Sequence, residues 1–142
     1  MNQIHIRGVF LGIAADWGIT IAFAFIIQIS YAVYWHLQGL DQAAIAEKIV
    51  ALAWSTQFNL FFLPFGLAFT VFGGYIATRT AQSDNLINAA LMGSTSIALG
   101  MVIQETGPMW VQYIGIIATV PMAILGGYLY TGAWNFFLTR QS

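Results

Sequence analysis

Four long stretches of this chain are almost free of charge, and their spacing sets the architecture. Gly8 to Trp35 is 28 residues with a single charge, Asp16. Val50 to Thr78 is 29 residues with none, Asn85 to Gln104 is 20 with none, and Thr106 to Thr139 is 34 with none. A helix needs about 20 mostly apolar residues to cross about 30 Å of hydrocarbon. The pattern predicts an all-α membrane protein with four transmembrane helices, at 9–33, 56–79, 86–104 and 110–137, forming one integral membrane domain over residues 1–142. A β-barrel would alternate in segments of about ten residues; these runs are continuous. The first run is longer than the core of a cleavable signal and is interrupted by Asp16, so it is expected to stay attached as the first helix.

The segment between the first two spans, His36 to Ser55, has its own pattern. Asp41 reads as an N-cap, and Ile45, Ile49 and Leu52 recur at helical spacing with Glu47 and Lys48 on other faces. This predicts a short amphipathic helix on the outer leaflet, or an extension of the second span.

Within the spans the small and polar positions align. Lipid chains are as apolar as leucine, so membrane helices associate through small residues and polar contacts. At 100° per residue, Asn59, Gly66, Thr70, Gly73 and Ala77 share one face of the second span, next to Gly74. Phe58, Phe62, Phe65, Phe69 and Phe72 gather on another, read as lipid-facing or packing surface. Ala89, Gly93, Ser96, Gly100 and Gln104 align in the third span, and Gly115, Thr119, Met122, Gly126 and Ala133 in the fourth. The first span carries a row at spacing four: Gly8, Gly12, Asp16, Thr20, Ala24, Gln28. Pro64 and Pro121 are expected to kink their helices. Gly73-Gly74-Tyr75 and Gly126-Gly127-Tyr128 echo each other at corresponding places in the second and fourth spans, as two hairpins duplicated in parallel sense would produce.

Composition closes off whole classes of function. Charged residues are 6% of the 142, hydrophobic residues 59%, and the mean hydropathy is +0.77. So few charges cannot cover a water-exposed surface. A net charge of −1 offers no basic face for nucleic acid. There are no cysteines, hence no disulfide, iron–sulfur or thiol chemistry. Arg7, Arg79 and Arg140 fall on one side of a four-span topology and Lys48 on the other, so both termini are expected to be cytoplasmic. Tyr31, Tyr34, Trp35, Trp54, Trp110 and Tyr113 then sit near the outer interface, and Tyr75, Tyr128, Tyr130 and Trp134 near the inner one.

Asp16 is the one acid inside a span, and intramembrane acids are costly and commonly functional. Thr20, one turn on, could donate to it, and Arg79 could snorkel toward it. Asp16, Thr20 and Arg79 are therefore the candidate polar site, either pinning helices together or binding a proton or cation. His5 and His36 fall on opposite sides and cannot share a metal or a haem. Glu105, before Gly107-Pro108, reads as a solvated loop acid. No serine nucleophile has a histidine or lysine at depth, and no phosphate-cradling loop with a lysine exists. The expectation is a non-enzymatic protein without a metal or cofactor.

Arg7-Gly8 ahead of an apolar run with Asp16, and Gly73-Gly74-Tyr75-Ile76-Ala77-Thr78-Arg79 closing the second span, resemble a loose group of small four-helix bacterial inner-membrane proteins of unknown function. Those carry an aspartate in the first helix and a GGY-x-A-x-R stretch. The resemblance implies a recurrent pair between Asp16 and Arg79.

These readings converge on a multi-pass protein of the bacterial inner membrane whose partners are the lipid bilayer and other membrane helices. It would act by helix association, as a homo-oligomer or an accessory subunit of a larger complex. The alternative is a minimal transporter or channel with Asp16 as its proton or ion site.

Overall fold

A computed structural model describes residues 4–82, 86–103 and 108–139, with the backbone alone at 103 and 133–139. The described residues form five helices and no strand: α1 (Ile6–Leu37), α2 (Gln42–Trp54), α3 (Thr56–Ala81), α4 (Ile87–Ile103) and α5 (Met109–Thr139). Three of them, α1, α3 and α5, are long and apolar enough to cross a membrane, while α4 is a shorter apolar helix of 17 residues. At 1.5 Å per residue α4 spans about 26 Å.

α1 outruns the apolar stretch that predicts it, because hydrogen bonding and caps set its ends. α1 begins at Ile6, not residue 9, where the His5 N–H donates to Asn88 Oδ1 at 2.9 Å. It ends at Leu37, not residue 33, in a Schellman turn. Gly39 takes φ +85°, its N–H donates to His36 O, and the Leu40 N–H donates to Trp35 O. Asp41 then caps α2 as the sequence predicts, accepting from the Ala44 N–H at 2.8 Å.

α2 is a helix of its own, not an extension of α3. The break is a single residue. The Ser55 N–H donates to Leu52 O, ending α2, while Ser55 Oγ accepts from the Phe58 N–H at 3.2 Å, starting α3. Asn59 braces this corner: its side-chain amide donates to Ala53 O at 2.8 Å and Ser55 O at 2.9 Å. Carbonyls at the C-terminal end of a helix lack intrahelical donors, and Asn59 supplies one to Ala53 O, while Ser55 O also accepts from the Asn59 backbone N–H. Asn59 therefore serves the α2–α3 joint and not the packing face that its spacing suggests. Lys48 Nζ lies 5.6 Å from the Trp35 ring centre, a cation–π contact between α2 and the end of α1.

The four long helices run alternately up and down. Gly8 meets Ala77 and Ala81, Gly12 meets Gly73, and Phe23 meets Phe62, so α1 and α3 are antiparallel. His5 pairs with Asn88 and Asp16 with Ser96, so α1 and α4 run in the same direction. Gly93 against Val120 and Ala89 against Gly127 make α4 and α5 antiparallel. α3 is central, packed on α1 and α5, with α4 touching all three; α1 and α5 make no contact among the described residues. Both α3 and α5 run as continuous helices through Pro64 and Pro121.

Packing is tight in one half of this bundle only. Every buried residue of α1 lies at or before Asp16 (Gly8, Gly12, Asp16), and every buried residue of α3 at or after Thr70. The apolar core is Ala77, Met92 and Ala123, with Val9 and Ile13 against it. The α1 row thus stays inside for only half its length: Thr20 and Ala24 are half-buried and Gln28 is exposed. Further along, aromatic bulk replaces small residues. Phe23 of α1 lies 5.1 to 5.7 Å from the rings of Phe62, Phe65 and Phe69, so part of the phenylalanine row is the α1–α3 seam. Phe72 faces outward. Much of the outer surface is apolar, as at Phe10, Phe25, Ile26, Phe61, Val102 and Ile117. A surface of this kind suits hydrocarbon and not water.

Candidate functional site

Asp16 lies ten residues into α1, about 15 Å along its axis. It is 5% exposed. Its position follows from glycines on either side. Gly12, one turn earlier, and Gly73 of α3 bring the backbones of α1 and α3 together, so that a Cβ on Gly73 would stand 2.9 Å from the Cβ of Asp16. The carboxylate is thereby delivered to a junction of three helices. Oδ1 accepts from Thr70 Oγ1 of α3 at 3.2 Å, and Oδ2 accepts from Ser96 Oγ of α4 at 3.3 Å.

Both bonds are long. Hydroxyl-to-carboxylate bonds are usually about 2.5–2.7 Å. Thr70 has one proton to give, and its hydroxyl lies equally close, 3.2 Å, to the Gly66 carbonyl one turn back. That back-bond is the habit of this chain: Ser30, Thr78, Ser94 and Thr119 all donate to the carbonyl four residues earlier. A carboxylate offers about four lone-pair sites, so the two weak donors found among the described residues fill only part of the acceptor capacity of Asp16.

The other residues singled out in the sequence are placed elsewhere. Thr20 is half-buried and makes no hydrogen bond to Asp16. Arg79 is exposed and makes no ion pair with Asp16. It sits nine residues beyond Thr70 on α3, about 13 Å further along the axis, which is beyond the length of its side chain. The Asp16–Arg79 pair implied by the family resemblance is absent from this arrangement. What takes its place is Thr70 and Ser96, both already on the aligned small faces of their helices. Sequence alone does not show that those two faces converge on Asp16.

Of the nine glycines expected at helix contacts, Gly8, Gly12, Gly73, Gly74, Gly93 and Gly126 stand at crossings. A Cβ placed on Gly66, Gly100 or Gly115 would meet nothing within 4 Å among the described residues. The tightest crossing joins the two Gly-Gly-Tyr segments. A Cβ on Gly74 would run into the Ala123 carbonyl, and one on Gly126 into the Val71 carbonyl. The Tyr75 and Tyr130 rings meet edge-on at 5.7 Å beside it. Gly127 also belongs to this crossing, with Thr78 Oγ1 2.7 Å from its Cβ position; its spacing of four from Ala123 was the available signal. Asn88, fully buried at the start of α4, is a polar contact that no spacing in the sequence marks. The side chains of Ala133, placed on the fourth-span face, and of the belt residue Trp134, together with Gln104, Glu105 and Arg140, lie outside what the structure describes.

Among the described residues no group of three or more His, Cys, Asp or Glu could hold a metal ion. No family model, curated protein or solved structure matches this chain.

Proposed function

We propose that this is a small multi-pass protein of the bacterial inner membrane that works through helix association in the bilayer plane, as a homo-oligomer or as an accessory subunit of a larger membrane complex. In this reading α4 is a fourth crossing, slightly short and matched to the bilayer by local thinning. α2 lies in the outer interface. Both chain ends are cytoplasmic, on the side of Arg7 and Arg79.

The observation that carries the proposal is a second row of small residues on α1. Ala14, Gly18 and Ala22 recur at spacing four and are all exposed, and nothing lies within 4 Å of a Cβ on Gly18. Gly18 is two residues from Asp16 and so points about 160° away from it. The inward row packs this bundle; the outward row is free to pack another helix at close range. Exposed Ser94, Thr95 and Ala98 on α4 add a second small, polar surface.

Gly18→Leu tests this, since the side chain meets open space within the protomer. The expected result is loss of the oligomer, or of a stoichiometric membrane partner, in mild detergent or nanodiscs, with helical circular dichroism unchanged. A wild-type protein that is strictly monomeric and copurifies with nothing refutes the proposal. The second reading, transport, is supported by the spare acceptor capacity of Asp16. Loss of flux in Asp16→Asn liposomes with assembly intact would favour it.

A further inference from the structure

Between the last turns of α1 and the first turns of α2 lies a cavity of about 490 Å³, open to the surface. Its α1 wall carries Val33, His36 and Leu37, and its α2 wall Gln42, Ile45 and Ile49. Small-molecule sites commonly measure about 300–1,000 Å³. The cation–π contact of Lys48 on Trp35 does not fill this space. Lys48 stands about 100° round α2 from Ile49, and Trp35 about 100° round α1 from His36. α2 has no buried residue, so the protein itself supplies little packing on this side of it.

The lining is apolar except for His36 and Gln42, which flank the α1–α2 turn. Both are exposed, and neither side chain has a hydrogen-bond partner among the described residues. The apolar walls continue onto the surface. Ile26, Ile29, Val33 and Leu37 are exposed and follow one another along α1 at spacings of three and four, and Val50 and Trp54 extend the α2 wall. The α1 strip covers about 16 Å of helix and runs from within the first span into the cavity. Water in the cavity would leave its apolar walls uncovered, and a hydrocarbon alone would leave His36 and Gln42 unpaired. An amphiphile with a long chain meets both requirements.

Charge narrows the class. The Gln42 amide has two N–H donors, and the His36 ring has at least one in either protonation state, a set that suits an acceptor such as phosphate. The charged residues of α2 and its cap, Asp41, Glu47 and Lys48, sum to −1. That balance disfavours a headgroup with net negative charge and favours one that also carries an amine.

We propose that this cavity binds one phospholipid of the outer leaflet with a zwitterionic, amine-bearing headgroup. A chain lies along the Ile26–Leu37 strip, its upper part fills the space between α1 and α2, and His36 and Gln42 donate to the phosphate. The bound lipid then sets the angle of α2 against α1. This inference rests on the reading that α2 lies in the outer interface, and it makes no use of the outward row of α1.

The test is lipid retention. The full chain would be reconstituted into nanodiscs holding equal amounts of phosphatidylethanolamine and phosphatidylglycerol, then released into mild detergent and weighed by native mass spectrometry. The unmodified protein is expected to keep one phospholipid per protomer, with phosphatidylethanolamine favoured about threefold or more. Ala46→Phe and Ala32→Phe fill the cavity from opposite walls. Each is expected to lower retention at least about tenfold, with helical circular dichroism unchanged. The pair His36→Leu and Gln42→Leu, made together, leaves the cavity apolar and should lower retention by a similar factor. No retained lipid in the unmodified protein, or full retention in both filled variants, overturns the site. Full retention without His36 and Gln42 overturns their role, and preference for phosphatidylglycerol overturns the headgroup assignment. A chain that integrates into the bilayer yet keeps no lipid overturns this inference alone, whereas a chain that fails to integrate overturns the membrane reading beneath it. Fillers on two helices keep the test decisive if one variant fails to fold.

Discussion

Adding one methyl group at two glycines of this protein should have opposite effects. Gly126 and Gly18 are both helical, so alanine at either one gains roughly 0.5–1 kcal/mol of backbone preference. The surroundings differ. At Gly18 the new Cβ meets nothing within 4 Å. At Gly126 it runs into the Val71 carbonyl and lies 2.8 Å from the Tyr75 nitrogen. Ordinary van der Waals contact begins near 3.4 Å, so α3 and α5 must separate by at least about 0.6 Å. Both obstructing groups are backbone and cannot swing aside as a flexible side chain would. Overpacking of this kind costs about 1–3 kcal/mol, and separation also loosens the reciprocal contact of Gly74 on Ala123. Gly126→Ala is therefore expected to lose about 1–2 kcal/mol net, while Gly18→Ala stays level or gains a few tenths to about 1 kcal/mol. Reversible unfolding in mixed micelles, under a detergent excess that keeps protomers apart, followed by circular dichroism, measures both. A Gly126→Ala protein as stable as the Gly18→Ala protein would refute the claim that the α3–α5 crossing depends on bare backbone.

Three further outcomes follow from named contacts. Asp16→Asn keeps an acceptor for Ser96 and a donor for Thr70 and should change stability by less than about 1 kcal/mol, whereas Asp16→Leu leaves the buried Ser96 hydroxyl unpaired and should cost about 1–3 kcal/mol in the same micelle assay. Equal loss in the two variants would remove the hydrogen-bonded role of the carboxyl. Ser55→Ala removes the cap of α3 and should cost about 0.5–2 kcal/mol, seen as faster amide exchange over residues 56–59. Asn59→Leu strips Ala53 O of its donor, and spin-label distances between α2 and α3 should broaden; an unchanged distribution would show the α2–α3 corner to be held by other contacts.

The helical, membrane-compatible character of the chain was legible because it rests on local quantities: run length, charge count and apolar content. The Asp41 cap and the α1 contacts of Gly8 and Gly12 were legible for the same reason, since a cap is a one-residue signal and a packing row a four-residue spacing. The single-residue break at Ser55 was not, because serine there serves equally well inside a helix or between two. The outward row Ala14–Gly18–Ala22 shares the four-residue spacing of the inward row Gly8–Gly12–Asp16, and spacing alone does not say that it is left uncovered. Nor does it separate Gly126, pressed on a neighbouring carbonyl, from Gly115, which meets nothing.

The sequence by itself determined that the spans would be apolar over most of their surface, that a single acid would lie within them, and that small residues would line their faces. Only the tertiary structure decided which acceptors and donors surround that acid. Helix geometry fixes the angle between residues on one helix, but the rotation of each helix about its own axis is set by its neighbours. That rotation brings Thr70 and Ser96 to Asp16 and turns Arg79, half a turn round α3 from Thr70, to the exposed side.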